Sequence, residues 1–227
     1  MGSKADGSDS VAVEVAPASH WPTMRALILV VSAEKKGVSS TSGMQITVAT
    51  SELFQRRAEV VVPRHMALME KAIKEKDFET FAKVTMTDSN SFHATCLDTF
   101  PPIFYLNDVS RAAIRAVEDI NKKAGKTVAA YTFDAGPNAV VYYEEDNTAA
   151  VAGSLKSVLG SLDGWQGREI KVQDAEHVDP RAVEVLKQGV SRVILTSVGE
   201  GPIKTEESLI AEDGEPLKKV VRSLKIS

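Results

Sequence analysis

The chain has 227 residues, of which 43% are hydrophobic and 26% are charged, and its formal net charge is -4. This is the composition of a globular protein large enough to bury a core, and an acidic chain without a basic stripe argues against a nucleic acid or an anionic membrane as partner. The single cysteine excludes an intramolecular disulfide, and the four scattered histidines show no metal-ligand spacing, so we predict no metal site.

The first part of the chain combines a polar end with one apolar segment. Residues 1–10 are small and polar, so we interpret residues 1–20 as a flexible lead-in. Residues 25–32 (RALILVVS) form a short, mainly apolar run, which predicts a buried strand. No apolar run is long enough to cross a bilayer and no leader pattern precedes the strand, so we expect a cytoplasmic protein with no membrane partner.

Helical patterns follow from residue 43 onward. Pro63 is a suitable first-turn residue for one helix, and Asp77 is a suitable cap for the next. Asn107 or Asp108 caps a further helix, in which apolar residues recur at three- and four-residue spacing until Gly125 ends it.

The second half of the chain alternates short strands with helices. Two apolar runs flank an Asp-Ala-Gly-Pro turn and predict an antiparallel pair of strands. The predicted elements are, in order, strands at 127–133 and 138–143, helices at 148–159 and 180–189, and a last strand at 191–198.

This order of elements predicts the fold class. Strand, helices, strand, strand, helix and strand form an α+β fold, in which helices pack on one face of an antiparallel sheet in a split βαβ or ferredoxin-like arrangement. We assign residues 21–200 to this sandwich domain and residues 201–227 to a C-terminal loop and tail. Residues 199–202 (GEGP) match no phosphate-binding glycine pattern and are interpreted as a turn.

Asp134 is the most informative candidate for chemistry. It ends an apolar run and is followed almost directly by Gly136 and Pro137. A carboxylate at a strand end beside a tight turn is rigidly aimed, which suits a general acid or base. The alternative is a turn carboxylate that bonds to the backbone of the Gly-Pro pair.

The segment before the first predicted helix carries polar residues that could bind an anion. Ser40 and Thr41 follow Lys36 and precede a helix, so their hydroxyls and the amides of the helix start are suited to hold an anion. The alternative is a simple cluster of helix-capping residues.

The polar residues Asn90, His93 and Asp98 lie along a predicted helix and its exit. Their spacing is compatible with a buried, hydrogen-bonded brace that supports a site without touching a substrate. Cys96, in the same segment, has no adjacent base in the sequence and is interpreted as a small buried apolar residue.

Residues 131–138 (YTFDAGPN), 39–44 (SSTSGM) and 88–98 (DSNSFHATCLD) together resemble the diphosphomevalonate decarboxylases of the isoprenoid pathway. The likeness extends from about residue 6 to residue 210 and covers only the C-terminal part of that family, whose members normally carry a further N-terminal half. The resemblance implies the ferredoxin-like C-terminal domain of the GHMP superfamily of small-molecule kinases.

The resemblance also implies roles for individual residues. In the intact family ATP, with Mg²⁺, phosphorylates the tertiary 3-hydroxyl of mevalonate 5-diphosphate, and loss of phosphate and carbon dioxide forms isopentenyl diphosphate. Asp134 stands at the position of the family's catalytic aspartate. Ser40, Thr41 and Met44 stand where the substrate's carboxylate or diphosphate lies, with Lys36 as a further binding residue, although bacterial members tend to have arginine where Thr41 stands.

Complete members hold the ATP phosphates in a Pro-x-x-x-Gly-Ser-Gly-Ser-Ser loop that no segment of these 227 residues supplies. We therefore predict that this chain binds no cofactor and does not turn over ATP alone, since phosphoryl transfer depends on positioning and charge stabilisation. Three hypotheses remain: a fragment of the decarboxylase, a stand-alone enzyme using Asp134 for ATP-independent acid/base chemistry on a prenyl diphosphate, and a noncatalytic binding or regulatory module. A homodimer is expected, because family members are dimeric as a rule and a domain without its mate exposes apolar surface.

Overall fold

The computed structural model describes residues 4, 6–31, 39–166, 169–202, 204–206, 208–211 and 214–216. Within these ranges four strands form one antiparallel sheet in the order β2-β3-β1-β4. The strands are β1 (Met24–Val31), β2 (Ala129–Thr132), β3 (Ala139–Glu144) and β4 (Val190–Ser197). The central strand β1 pairs with both β3 and β4, which is the arrangement of a ferredoxin-like fold, so the predicted α+β class is confirmed.

Seven α-helices occur in the described ranges: α1 (Ser40–Thr50), α2 (Glu52–Arg56), α3 (Val62–Glu75), α4 (Phe78–Asp98), α5 (Asp108–Ala124), α6 (Ser154–Leu159) and α7 (Pro180–Gly189). Two π turns, Arg57–Val61 and Ala149–Gly153, lie directly before α3 and α6. None of these helices is both long and apolar enough to span a membrane.

The helix boundaries follow from side-chain capping. The Asp77 carboxylate accepts a hydrogen bond from the Thr80 amide at 3.0 Å and begins α4 as predicted. Asn107, rather than Asp108, caps α5 in a reciprocal arrangement with Ser110. Gly125 ends α5 in the left-handed region, with a φ of 68°, where a residue without a Cβ is favoured.

Pro63 lies in the first turn of α3, as predicted, but the chain does not enter α3 from a loop. Helix α2 continues into α3 through the π turn Arg57–Val61. A proline inside a helix cannot donate a hydrogen bond to the preceding turn, and an adjacent π turn changes the hydrogen-bond register at that point. Periodicity alone did not reveal this continuous helical segment, because the π turn shifts the spacing of its apolar residues.

The main core lies on one face of the sheet. Leu27 and Leu29 of β1, Val141 of β3 and Val193 of β4 point to the same side as α5, α6 and α7 and are almost fully buried. Burial of each such aliphatic side chain contributes about 1.5–3 kcal/mol, so this helical layer accounts for much of the stability.

Helix α4 runs beside the edge strand β2 and adds a second, smaller core. Phe78 and Ala82 of α4 pack there with Trp21, Met24 and Ala130. This placement brings the later turns of α4 against the end of β2, where Asp134 follows. The division of the chain at residues 20 and 200 stays a prediction.

Candidate active site

Asp134 lies in the turn between β2 and β3, and its side chain is exposed. The turn is closed by the backbone, because the Gly136 amide donates to the Asp134 carbonyl oxygen at 2.8 Å. Within the described part of the chain, no hydrogen bond or ion pair involves the Asp134 carboxylate. The turn therefore forms without this side chain, and the alternative of a carboxylate bonded to the Gly-Pro backbone is not what the structure has.

The backbone around Asp134 is held from three sides. The Phe133 amide donates to the Ser89 hydroxyl of α4 at 3.2 Å. The Ser110 hydroxyl, in the first turn of α5, donates to the Pro137 carbonyl at 3.1 Å. The side-chain oxygen of Asn138 accepts from the amide of Val31 at the end of β1, at 2.9 Å. Two helices and the central strand thus hold the turn that carries the exposed carboxylate.

His93 lies beneath this turn and is only 7% exposed. Its ring meets the rings of Phe92 and Phe133 edge-on, with centroids 4.9 and 6.2 Å away. Its Nε2 atom is buried and has no hydrogen-bond partner in the described structure. Burial is the main influence on the pKa of His93 and lowers it below 6.5, and Arg57 lowers this pKa a little further. The Phe133 backbone and the Asp134 carboxylate raise the pKa, but burial outweighs them.

The predicted brace of Asn90, His93 and Asp98 is not a single buried cluster. Asn90 is exposed and exchanges hydrogen bonds with the Tyr131 hydroxyl on β2 at 3.1 and 3.2 Å. Asp98 is also exposed, and its carboxylate accepts from the Ser51 hydroxyl and the Leu53 amide at the start of α2. The two residues lie on one helix, but its middle contacts β2 and its C-terminal end contacts the start of α2.

The candidate substrate residues of α1 lie in its first turns. Ser39, rather than Ser40, caps the helix, and its hydroxyl accepts from the Ser42 amide at 3.1 Å. Ser40, Thr41 and Met44 are exposed, and no contact in the described ranges joins them to Asp134. Lys36 lies outside the described residues.

Tyr105 is a neighbour of this helix start that the sequence did not suggest. Its hydroxyl lies 3.5 Å from the Ser39 carbonyl, and it approaches Gly43 so closely that a Cβ there would overlap the phenol oxygen. Burial, together with the neighbouring Cys96, raises the pKa of the Tyr105 phenol, so it remains a hydrogen-bond donor. A glycine inside a helix was the only available signal of a close neighbour.

A cavity of about 660 Å³ opens on the sheet face opposite the main core. Its walls come from α3, α4 and the sheet and are mainly apolar, including Met66, Ile73, Phe81 and Tyr142. It reaches Thr132, two residues before Asp134, but Asp134 is not among its lining residues. The cavity thus adjoins the turn without enclosing its carboxylate.

Together, an antiparallel ferredoxin-like sheet and an exposed carboxylate on its braced β2-β3 turn define an α+β domain with a candidate acid/base group. Residues 26–205 match the family described as the mevalonate 5-diphosphate decarboxylase C-terminal domain. The chain belongs to this family.

Known proteins of similar sequence and structure carry the same description. A diphosphomevalonate decarboxylase of Aspergillus fumigatus is 62% identical over 95% of this chain, and one of Gibberella zeae is 64% identical over 92% of it. A crystal structure of mevalonate 5-diphosphate decarboxylase superimposes with a TM-score of 0.81 at 49% identity, covering 95% of this chain and 57% of that one. The chain spans 56% and 55% of the two fungal relatives, or little more than half their length.

Proposed function

We propose that this chain supplies the acid/base carboxylate for ATP-dependent decarboxylation of mevalonate 5-diphosphate, the reaction named for its relatives. The observation that carries the proposal is the Asp134 carboxylate, which is exposed and held on a braced turn. A group with no structural partner in the described ranges is available to a substrate. A buried or hydrogen-bonded turn carboxylate would be poorly suited to this role.

Asp134 has two tasks in this proposal. Its carboxylate accepts or orients the proton of the tertiary 3-hydroxyl during phosphorylation. Its negative charge then stabilises the positive charge that develops at C3 as the phosphate leaves. Ser40, Thr41 and Met44 contact the substrate's anionic groups from the exposed start of α1, and Lys36 adds a positive charge.

ATP with Mg²⁺ supplies the phosphoryl group in the proposed reaction, but the described residues do not fit a site for it. In that part of the chain no three His, Cys, Asp or Glu side chains are grouped so that they could hold a metal ion, and the 227 residues contain no glycine-rich phosphate loop. We therefore assign ATP and Mg²⁺ to no residue here and expect this polypeptide alone not to turn over ATP. A cytoplasmic location and a homodimer complete the proposal.

The first experiment measures binding and turnover separately. Titration of the isotope-labelled chain with mevalonate 5-diphosphate should shift the amide signals of residues 134–136, of Asn138 and of the first turn of α1. With ATP added, no isopentenyl diphosphate should appear by mass spectrometry. Adding the separately expressed N-terminal half of the Aspergillus fumigatus relative should restore turnover. Asp134→Asn should abolish the restored turnover, whereas Asp146→Asn, at another exposed acid, should leave it unchanged.

The same samples test the other hypotheses. Decarboxylation by the chain alone would show that the phosphate loop is dispensable. Conversion of geranyl or farnesyl diphosphate without ATP, lost in Asp134→Asn, would favour the stand-alone enzyme, for which the adjoining 660 Å³ cavity offers room for an apolar chain. Binding that never supports turnover, even with the N-terminal half present, would favour a noncatalytic module.

A further inference from the structure

The connection between α4 and α5, residues 99–107, lies against the second half of α1. The hydroxyl oxygens of Thr47 and Thr99 are 2.9 Å apart. The Phe100 amide donates to the Thr50 hydroxyl, also at 2.9 Å. Thr99 is only 2% exposed, so the connection begins at a point that is fixed by packing.

The same connection reaches the first turn of α1, where the candidate substrate residues lie. The Tyr105 hydroxyl lies 3.5 Å from the Ser39 carbonyl. A Cβ on Gly43 would overlap the Tyr105 hydroxyl and would lie 3.4 Å from the Ile103 side chain. Ser39, Gly43 and Thr47 are each one helical turn apart, so these contacts follow a single face of α1.

Beyond its other end, the connection is joined to the turn that carries Asp134. Asn107 and Ser110 form the reciprocal cap of α5, and Ser110 is fully buried. The Ser110 hydroxyl accepts from the Asn107 amide at 3.3 Å and donates to the Pro137 carbonyl at 3.1 Å. Its single proton has a longer contact, 3.3 Å, with the Asn107 side chain. One hydroxyl therefore both closes the cap of α5 and holds the turn.

We propose that the α4-α5 connection sets the position of the α1 start relative to the Asp134 carboxylate, with Thr47 and Ser110 as positioning residues. No hydrogen bond or ion pair in the described ranges joins these two parts of the candidate site directly, but this one stretch of chain contacts both. Misplacement of a reacting group by about 1 Å is enough to slow a reaction strongly. This inference rests on the proposed roles of Asp134 and of the α1 start.

Hydrogen exchange on the full chain, without substrate, tests the link between the two ends. Two buried amides report on them: Gly43 donates to the Ser39 carbonyl in α1, and Gly136 donates to the Asp134 carbonyl in the turn, each at 2.8 Å. Ser110→Ala removes the bond to the turn and should speed exchange at Gly136 about fivefold, as expected for one lost hydrogen bond. It should also speed exchange at the distant Gly43 by at least about twofold.

Thr47→Val repeats the test from the α1 end. Valine keeps the shape of threonine but cannot bond to the Thr99 hydroxyl, so exchange should be faster at Gly43 and also at Gly136. Because Thr47 is only half-buried, this variant keeps the proposal testable if the Ser110 variant does not fold.

Thr87→Val is the matched control. Thr87 is exposed on α4, and its hydroxyl donates to the Lys83 carbonyl of the same helix at 2.7 Å. This variant should change the exchange of neither reporter amide. Faster exchange confined to the amide nearest each of the two test substitutions would overturn the proposal.

Turnover gives a second readout, which a purely structural role would not change in this way. Where Asp134-dependent turnover is measured with the N-terminal half present, Ser110→Ala should lower kcat about tenfold with little change in KM, because the carboxylate is displaced from the bound substrate. Ser110→Thr retains the hydroxyl and should recover part of the loss. An unchanged kcat in folded Ser110→Ala would contradict the positioning role. The exchange experiment needs no substrate, so its outcome is independent of the decarboxylation assay.

Discussion

Three carboxylates in the segments that carry the family resemblance differ in what they already bind. Asp88 is held by Arg57 and His65, and Asp98 caps α2, whereas the described structure gives Asp134 no side-chain partner. A carboxylate saturated with donors is a poor base, because its ionised form is already stabilised. The distinction favours Asp134 for proton transfer and assigns structural roles to the other two.

We expect His93 to make stability depend on pH. Its pKa in the folded protein lies below the unfolded value of 6.5, so the unfolded chain binds a proton first as pH falls. The stability linked to neutral His93 is fully present above pH 6.5 and is lost as pH falls through the folded pKa. Urea unfolding of wild type and His93→Gln at several pH values should show that wild type loses more stability on acidification. Parallel curves for the two proteins would contradict this.

Cys96 should be chemically inert in the native state. It is 3% exposed, and burial raises the pKa of its thiol more than Arg57 lowers it. Because the thiolate is the reactive form, labelling with a disulfide reagent should be slow in buffer and fast in denaturing urea. Native labelling as rapid as that of free cysteine would show that the α4 core opens without global unfolding.

At the level of elements, the start of α1 depends on the close approach of the Tyr105 hydroxyl to Gly43. Replacing glycine by alanine inside a helix normally stabilises the folded protein by about 1 kcal/mol. Gly43→Ala should instead destabilise by no more than about 1 kcal/mol, because the new Cβ overlaps the Tyr105 hydroxyl and the half-buried phenol must shift to admit it.

Chemical denaturation measures this change directly. Ser42→Ala, at an exposed position in the same turn, is the control and should change stability by less than about 0.5 kcal/mol. Adding Tyr105→Phe to Gly43→Ala should recover part of the loss by removing the overlapping oxygen. A stabilising Gly43→Ala would mean that Tyr105 is not packed against α1.

For the whole molecule, exposed aromatic side chains support the expected homodimer. Phe100 and Phe104, after α4, are 78% and 74% exposed, and contiguous exposed apolar surface favours association. Light scattering should give twice the chain mass of 24.5 kDa at micromolar concentration. The Phe100→Ser/Phe104→Ser pair should shift the protein toward monomer, whereas Leu209→Ser, at another exposed position, should not. A wild-type monomer at high concentration would contradict the prediction.

Most secondary structure was predictable because its causes are local. The Asp77 cap, the Gly125 terminus and the start of the helix predicted at 180–189 depend on residues within one or two turns. The two π turns were not predicted, because a single change of hydrogen-bond register leaves little trace in apolar spacing. Asn90, His93 and Asp98 do not form one buried cluster for a related reason, since spacing along a helix does not say which elements contact each of its turns.

Local patterns along the chain were sufficient to predict the α+β class, the order of its elements and the family, and to single out Asp134 as a candidate, since each depends on neighbouring residues or a contiguous motif. The folded chain was needed to show that the Asp134 carboxylate has no partner among the described residues, that Asp98 bonds to the start of α2 and that Arg57 is anchored on Asp88. These facts depend on pairs of residues far apart in sequence, such as Arg57 with Asp88 and Ser110 with Pro137. No local pattern encodes such pairs, because packing brings them together only once the sheet and helices have assembled.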